Sequence, residues 1–321
     1  MLTGHRKSGT TLLHSLFDGH SDVNVYPVDL SLLYAYYPRW TSRNYTTNQK
    51  KERIRLVITK STSRIHGKKL SSGCISFDPD ILSKLLLNQY CIEELTTPAH
   101  LIKAFSESYC LYAGLDTSLP FLFKETSQAV NLLPMLEQGL HISTIQIIRD
   151  PRDNYSAIKA GIDQYYALLG EGHLHSLCSL LFRANIDLDL AFQLCLSNSK
   201  HFRTIKYEEL VDDPTPQLVT LCNFLNLDWY QSMLIPTFLG EPFTGNSFDS
   251  RSSTSISSVS VGRWRERITI EEQLIIEYYM YEVMGKWNYA VQVDLNVSAG
   301  AIMAIYAKIN DRFFFSDPYQ L

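Results

Sequence analysis

The opening segment Met1-Leu2-Thr3-Gly4-His5-Arg6-Lys7-Ser8-Gly9-Thr10-Thr11 constrains this chain more than any other. Its first three residues read as the end of a strand and Gly4 to Thr11 as a loop, with Leu12, Leu13, Leu16 and Phe17 as one apolar face of a following helix. A strand, a glycine loop and a helix start gather backbone N–H groups around one point. The glycines let the backbone approach closely, so the unit is an anion cradle. Against the nucleotide-triphosphatase loop G-x-x-x-x-G-K-[ST], Gly4 and Gly9 have the right spacing, but Thr10 stands where the lysine belongs. The lysine is Lys7, inside the loop. There its ammonium would lie over the oxygen bridging a 5′-phosphate to a transferred group, not beside a β/γ-phosphate pair. This argues against ATP or GTP hydrolysis.

Two further strand-turn-helix passages point to an α/β fold with a central parallel sheet flanked by helices. In the first, the apolar run Ile142 to Ile148 leads into Arg149-Asp150-Pro151-Arg152-Asp153 and a helix containing Ser156. Arg149 offers a planar fork and Ser156 a hydroxyl, a fit for one terminal phosphate. The competing reading is a turn that pairs Arg149 and Arg152 with Asp150 and Asp153. In the second, Thr204-Ile205-Lys206-Tyr207-Glu208-Glu209-Leu210 runs on through Pro214 to an amphipathic helix carrying Leu218, Leu221 and Leu225. Downstream, Gly245-Asn246-Ser247 and seven serines between Ser250 and Ser260 read as a mobile loop ahead of Val261-Gly262-Arg263-Trp264-Arg265.

These segments resemble the sulfotransferases that use 3′-phosphoadenosine 5′-phosphosulfate (PAPS). Lys7-Ser8-Gly9-Thr10-Thr11-Leu12-Leu13 matches their loop [RK]-S-G-T-T-x-L. Arg149 to Ser156 reads R-D-P-R-D-x-x-S, one residue shorter than the R-D-P-R-D-x-x-x-S 3′-phosphate sites it resembles, and Tyr207 to Pro214 matches Y-E-[DE]-L-x-x-[DN]-P. The G-N-S and V-G-R-[WY]-[KR] elements and the closing Met284-Gly285-Lys286-Trp287-Asn288-Tyr289 complete an ordered series from residue 4 to about 289. The resemblance implies a P-loop-like fold and one domain over 1–321, with 39–120 as a helical, basic insertion that shapes the acceptor site. It also implies PAPS as co-substrate without a metal, and an acceptor hydroxyl or amine on a carbohydrate, lipid, small molecule or protein tyrosine.

The residue roles follow from the same resemblance. Arg6, Lys7, Ser8, Gly9, Thr10 and Thr11 would hold the 5′ end, with Lys7 also stabilising charge on the bridging oxygen. Arg149, Ser156, Gly262 and Arg263 would meet the 3′-phosphate, with Trp264 on the adenine or under the loop. Tyr207 would lie near the adenine, or else cap the core. Asp29 occupies the place where relatives acting on protein tyrosine and sugars carry a carboxylate base, with Glu125 and His14 as weaker contenders. Phe121-Leu122-Phe123-Lys124-Glu125-Thr126 resembles a family strand ending in K-[TE]-P-x-N, with Lys124 at its cofactor-facing end; the proline is missing, and Ser127 or a shifted turn stands in its place.

Composition sets the remaining bounds. With 45% hydrophobic and 19% charged residues over 321 positions, the chain is globular, neither disordered nor fibrous. No apolar run approaches the roughly 18 residues of a membrane helix. The net charge of −4 hides a basic window from Arg39 to Lys69, ten Lys/Arg against Glu52 alone, which suggests an anionic acceptor. Only Trp40 and Tyr45 interleave it with aromatic rings, too few for a nucleic-acid interface. Six cysteines without a Cys-x-x-Cys pair read as buried thiols in a reducing compartment, and His173 and His175 lack a third metal ligand. The expected location is cytoplasmic, or the Golgi lumen if an anchor precedes the chain, in which case the sequons at Asn44 and Asn296 become usable. The rival functions are a P-loop kinase-like enzyme and a non-catalytic nucleotide-binding protein.

Overall fold

A five-stranded parallel sheet organises the computed structural model, which clusters into two units, residues 1–149 with 193–258 and residues 150–192 with 259–321. The described residues are 1–32, 45–63, 77–95, 97–128, 142–170, 172–197, 200–243 and 254–292, with single positions at 65, 69, 70, 73, 74, 132, 245, 248, 294 and 300. In chain order the elements used below are β1 (Leu2–Thr3), α1 (Thr10–Ser15), β2 (Asn24–Asp29), α2 (Thr47–Thr62), β3 (Lys69–Leu70), β4 (Gly73–Cys74), α3 (Pro79–Gln89), α4 (Pro98–Ala113), β5 (Phe121–Lys124) and β6 (Thr144–Ile148). They continue with α5 (Pro151–Lys159), α6 (His173–Ser179), α7 (Asn185–Ser197), β7 (Phe202–Lys206), α8 (Tyr207–Asp212), α9 (Pro214–Leu225), β8 (Thr237–Phe238), β9 (Glu241–Pro242), α10 (Trp264–Arg267), α11 (Ile270–Tyr279) and α12 (Tyr281–Lys286).

The sheet lies wholly in the first unit, in the order β2-β5-β1-β6-β7. β6 is buried along its length, as the apolar run demands of a strand covered on both faces. β1 has only two residues, yet it is central: Leu2 pairs with Lys124 on one side and Ile145 on the other. β2 was not evident from the sequence because Pro27 interrupts its pattern. It is an edge strand, where a residue without an N–H is tolerated. Because every strand runs the same way, Gly4, Asp29, Lys124 and Arg149 emerge at one edge of the sheet. Leu2, Leu13, Phe17, Ile145, Ile147 and Leu221 form the centre of the core beneath it.

Among the described residues of 39–120, three helices, α2, α3 and α4, account for most positions. Thr46 opens α2 with a reciprocal capping box to Gln49, Asp78 caps α3 ahead of Pro79, and Thr97 caps α4 ahead of Pro98. Of the basic window, Lys50, Lys51, Arg53, Arg55 and Lys60 lie on α2, and Arg55 is paired with Asp80 at 2.9 Å. Arg39, Arg43, Arg64 and Lys68 lie outside the described residues, as do Trp40 and the two sequon asparagines.

The expectation of buried thiols needs correction. Cys110 and Cys222 are buried, Cys195 is half-buried, and Cys91 and Cys178 are exposed; all five are free. The exposed pair sits beside helix ends, where apolar neighbours in sequence do not translate into a core position. Among the described residues, no helix is long and apolar enough to cross a membrane.

The anion loop is held by two positions that cannot carry a side chain. At Gly4 (φ 153°) a Cβ would come within 2.4 Å of the Ile147 carbonyl oxygen, and at Gly9 (φ 101°) within 2.4 Å of the Tyr207 ring. Gly19 also has a positive φ, 75°, but its Cβ would meet nothing within 4 Å. Gly4→Ala is therefore expected to destabilise the fold by about 1–3 kcal/mol more than Gly19→Ala, which bears the backbone cost alone. Denaturant unfolding of the two variants checks this, and equal losses would contradict the close approach.

Candidate functional site

The Gly4–Gly9 loop is pinned at both ends. Its turn closes with Ser8 N–H donating to the His5 carbonyl at 3.1 Å, and the Gly4 carbonyl accepts from Ser127 N–H at 2.9 Å. Lys7 sits at φ 66°, a left-handed backbone that costs a side-chain-bearing residue energy and that the surrounding contacts must enforce. Arg149, at the end of β6, does part of this. Its Nη1 donates to the Lys7 carbonyl at 3.0 Å, and its guanidinium lies 4.4 Å above the Tyr207 ring. Tyr207 in turn packs its edge against Gly9, so Lys7, Gly9, Arg149 and Tyr207 form one continuous cluster. Tyr207 is 7% exposed and belongs to the core, and it opens α8 instead of closing β7. The Lys7 ammonium lies 3.8 Å from the ring centre of Phe248. Thr10, where a triphosphatase would place lysine, is the buried first residue of α1, and Gly9 caps that helix without a side chain.

A second cluster forms where β2 and β5 end side by side, with Asp29 in register with Lys124. The Lys124 ammonium donates to Thr11 Oγ1 at 3.1 Å and stands 3.8 Å from Asp29 Oδ2. The Asp29 carboxylate also accepts from the Thr126 hydroxyl, from Thr126 N–H at 3.4 Å and from Ser31 Oγ at 3.4 Å. The sequence-predicted base is thus linked to the anion loop through Lys124. Sequence alone puts that lysine at the strand end without giving it a role. Ser127 adopts φ 60° and donates its N–H to the Gly4 carbonyl, so proline could not stand at that position of the turn.

Glu125 and His14 are both buried. Burial, and secondarily the Lys124 ammonium, pull the His14 pKa down to about 3, against the opposing effect of a hydrogen bond with the Tyr26 backbone. Its Nε2 is buried without a hydrogen-bond partner. A ring this reluctant to take a proton is a poor general base, which leaves His14 a packing role beneath Lys124.

The Arg149-to-Ser156 motif divides its work, with Arg149 in the first unit and the residues from Asp150 onwards in the second. Asp150 caps α5 by accepting from Arg152 N–H at 2.9 Å. Arg152 forks Asp150 at 3.0 and 2.6 Å, reaches Glu277 at 2.7 Å and lies 4.2 Å over the Trp264 ring. The turn reading is therefore right for Arg152 with Asp150, whereas Arg149 reaches the Lys7 carbonyl and Asp153 accepts from Gly262 and Trp264 N–H. Ser156 is buried within α5. Trp264 is 4% exposed, with Arg152 and Arg265 both over its ring, and Arg263 beside it is half-buried. The closing signature has a packing role: Lys286 pairs with Asp189 at 2.5 Å, and Trp287 Nε1 donates to the Leu188 carbonyl at 2.9 Å. Asn246 and Ser247 lie outside the described residues. Among those described, no group of three His, Cys, Asp or Glu side chains is placed to hold a metal ion.

A parallel sheet with this loop at its strand ends defines a P-loop-like α/β protein. The chain matches the Sulfotransferase family over residues 1–231, and it belongs to that family. It is similar in fold to the sulfotransferase domain from the curacin biosynthetic pathway, with TM-score 0.55 and 17% identity over 90% of this chain and 97% of that one. It is likewise similar to the sulfotransferase domain of the Synechococcus PCC 7002 olefin synthase, with TM-score 0.54 and 18% identity over 90% and 94%. No curated protein sequence matches it.

The depressed His14 pKa has a consequence for stability. The unfolded chain takes up a proton near the ordinary histidine value of 6.5, while the folded chain does not until about 3. Stability from this group is therefore complete above pH 6.5 and falls as the pH drops towards 3, by up to about 1.4 kcal/mol per pH unit. His14→Asn should flatten that acid limb in pH-dependent unfolding. An unchanged limb would mean that His14 is protonated in the fold.

Proposed function

We propose that this protein is a PAPS-dependent sulfotransferase that passes a sulfuryl group to an acceptor hydroxyl or amine, with residues 1–321 acting as one functional domain. The observation that carries the reading is the position of Lys7. It is held inside the loop, in a left-handed backbone, by Arg149 acting on its carbonyl. The donor set fits the co-substrate: hydroxyls on Ser8, Thr10 and Thr11, ammonium groups on Lys7 and Lys124, and the Arg149 guanidinium, all at or beside the strand ends that carry the loop. PAPS supplies the activated sulfuryl group.

In this reading Arg6 and the Ser8–Thr11 backbone and hydroxyls bind the 5′-phosphate, and Lys7 stabilises the charge that builds on the bridging oxygen. Arg149, Ser156, Gly262 and Arg263 bind the 3′-phosphate. Tyr207 supports the site from below, as the base of the Arg149 stack. Trp264, covered by two guanidinium groups, supports the Gly262–Arg263 turn and leaves the adenine to other residues. Asp29 takes the acceptor proton, and Lys124 is added to the site as the cation that orients both Asp29 and Thr11. An anionic acceptor is supported by Lys50, Lys51, Arg53 and Lys60 on α2, and Arg55 is less available to it because of Asp80.

Calorimetric titration with adenosine 3′,5′-bisphosphate, 5′-AMP and ATP, with and without magnesium, tests this. The expected result is a metal-independent preference for the bisphosphate that falls by about ten- to a hundredfold in Arg149→Ala, the loss of a charge-assisted contact. A magnesium-dependent preference for ATP would favour the kinase-like alternative.

A further inference from the structure

We infer that Asp153 is a positioning residue for the 3′-phosphate, acting through the Gly262–Trp264 turn without touching the nucleotide. The inference rests on the proposed binding of that phosphate by Gly262 and Arg263. Asp153 lies in the first turn of α5 and is 2% exposed. One of its carboxylate oxygens accepts from Gly262 N–H at 2.6 Å and the other from Trp264 N–H at 2.9 Å. The carboxylate thus grips the chain on both sides of Arg263, so the direction in which residue 263 leaves the turn is set by Asp153. Gly262 adopts φ 76°, and its carbonyl accepts from Arg265 N–H at 3.3 Å, so the turn is tight and needs an outside anchor to choose its orientation.

The neighbouring residues brace the same turn. Arg152 lies over the Trp264 ring while it forks Asp150 and reaches Glu277, which ties the turn to both α5 and α11. Asp150, Arg152 and Asp153 of R-D-P-R-D therefore act together to dock the second phosphate-binding segment onto the helix that carries Ser156. Two charge-assisted hydrogen bonds at a buried site have the strength to fix one geometry of the turn.

The test is the ratio of affinities for adenosine 3′,5′-bisphosphate and 5′-AMP, which differ only in the 3′-phosphate. In Asp153→Asn the amide keeps one acceptor but turns a donor towards the second N–H. Bisphosphate affinity should fall at least tenfold while 5′-AMP affinity stays within about twofold. Gly262→Ala strains the turn from the other side, since a φ of 76° disfavours any residue with a Cβ, and should show the same selective loss. A parallel loss of both nucleotides together with the unfolding midpoint would reduce Asp153 to a structural residue and overturn the inference. An unchanged ratio in both variants would overturn it as well. If the wild-type protein shows no preference for the bisphosphate, the 3′-phosphate reading itself fails and the inference falls with it, a result separable from the others because it appears without any substitution.

Discussion

The close approach of the Gly4–Gly9 loop to the core is the constraint on which the rest depends. Gly4 passes over the Ile147 carbonyl and Gly9 over the Tyr207 ring, with no room for a Cβ at either point. These contacts seat the loop on β6 and at the start of α8, and the Arg149–Tyr207 stack then brings a guanidinium to the Lys7 carbonyl. The unfavourable backbone of Lys7 persists because these contacts determine it from several sides. A short central strand of two residues suffices because its neighbours β5 and β6 carry the register.

Three of the five strands were legible as apolar runs tied to turn chemistry, namely those around residues 1, 142 and 203, and a fourth, Phe121 to Lys124, through its resemblance to a family strand. β2 was hidden by Pro27, whose cost vanishes on a sheet edge, a position that no local pattern announces. The loop and Arg149 were read from motif and spacing, and Asp29 only from the place where family relatives carry a carboxylate. Lys124 was visible but without a role, because its partners Asp29 and Thr11 lie 95 and 113 residues away in sequence and meet only through strand pairing. Trp264 could be read from sequence either as a ring on the adenine or as a support under the loop, and two guanidinium groups lie over its ring. Sequence gives residue types, but it does not say which partner claims a ring.

The motif R-D-P-R-D shows how a short charged string can serve two ends. Arg149 acts in the first unit on the loop, whereas Asp150, Arg152 and Asp153 act in the second on the helix start and the Gly262–Trp264 turn. Buried charges of this kind are expensive unless every partner is in place. The Arg152 fork, with Asp150 on one side and Glu277 on the other, meets that condition. Asp29 is held in a comparable way by Thr126, Ser31 and Lys124, so the carboxylate proposed to take the acceptor proton has a fixed direction before any acceptor arrives.

The central claim is that Lys7 serves sulfuryl transfer and not triphosphate chemistry. The most direct measurement is release of adenosine 3′,5′-bisphosphate from PAPS in the presence of a chelator, across a panel of hydroxyl and amine acceptors, for the wild-type protein and Lys7→Ala. The account predicts acceptor-dependent release without divalent metal that falls at least roughly a hundredfold in the variant. Release that is insensitive to Lys7, or turnover of ATP with magnesium in place of PAPS, would contradict it.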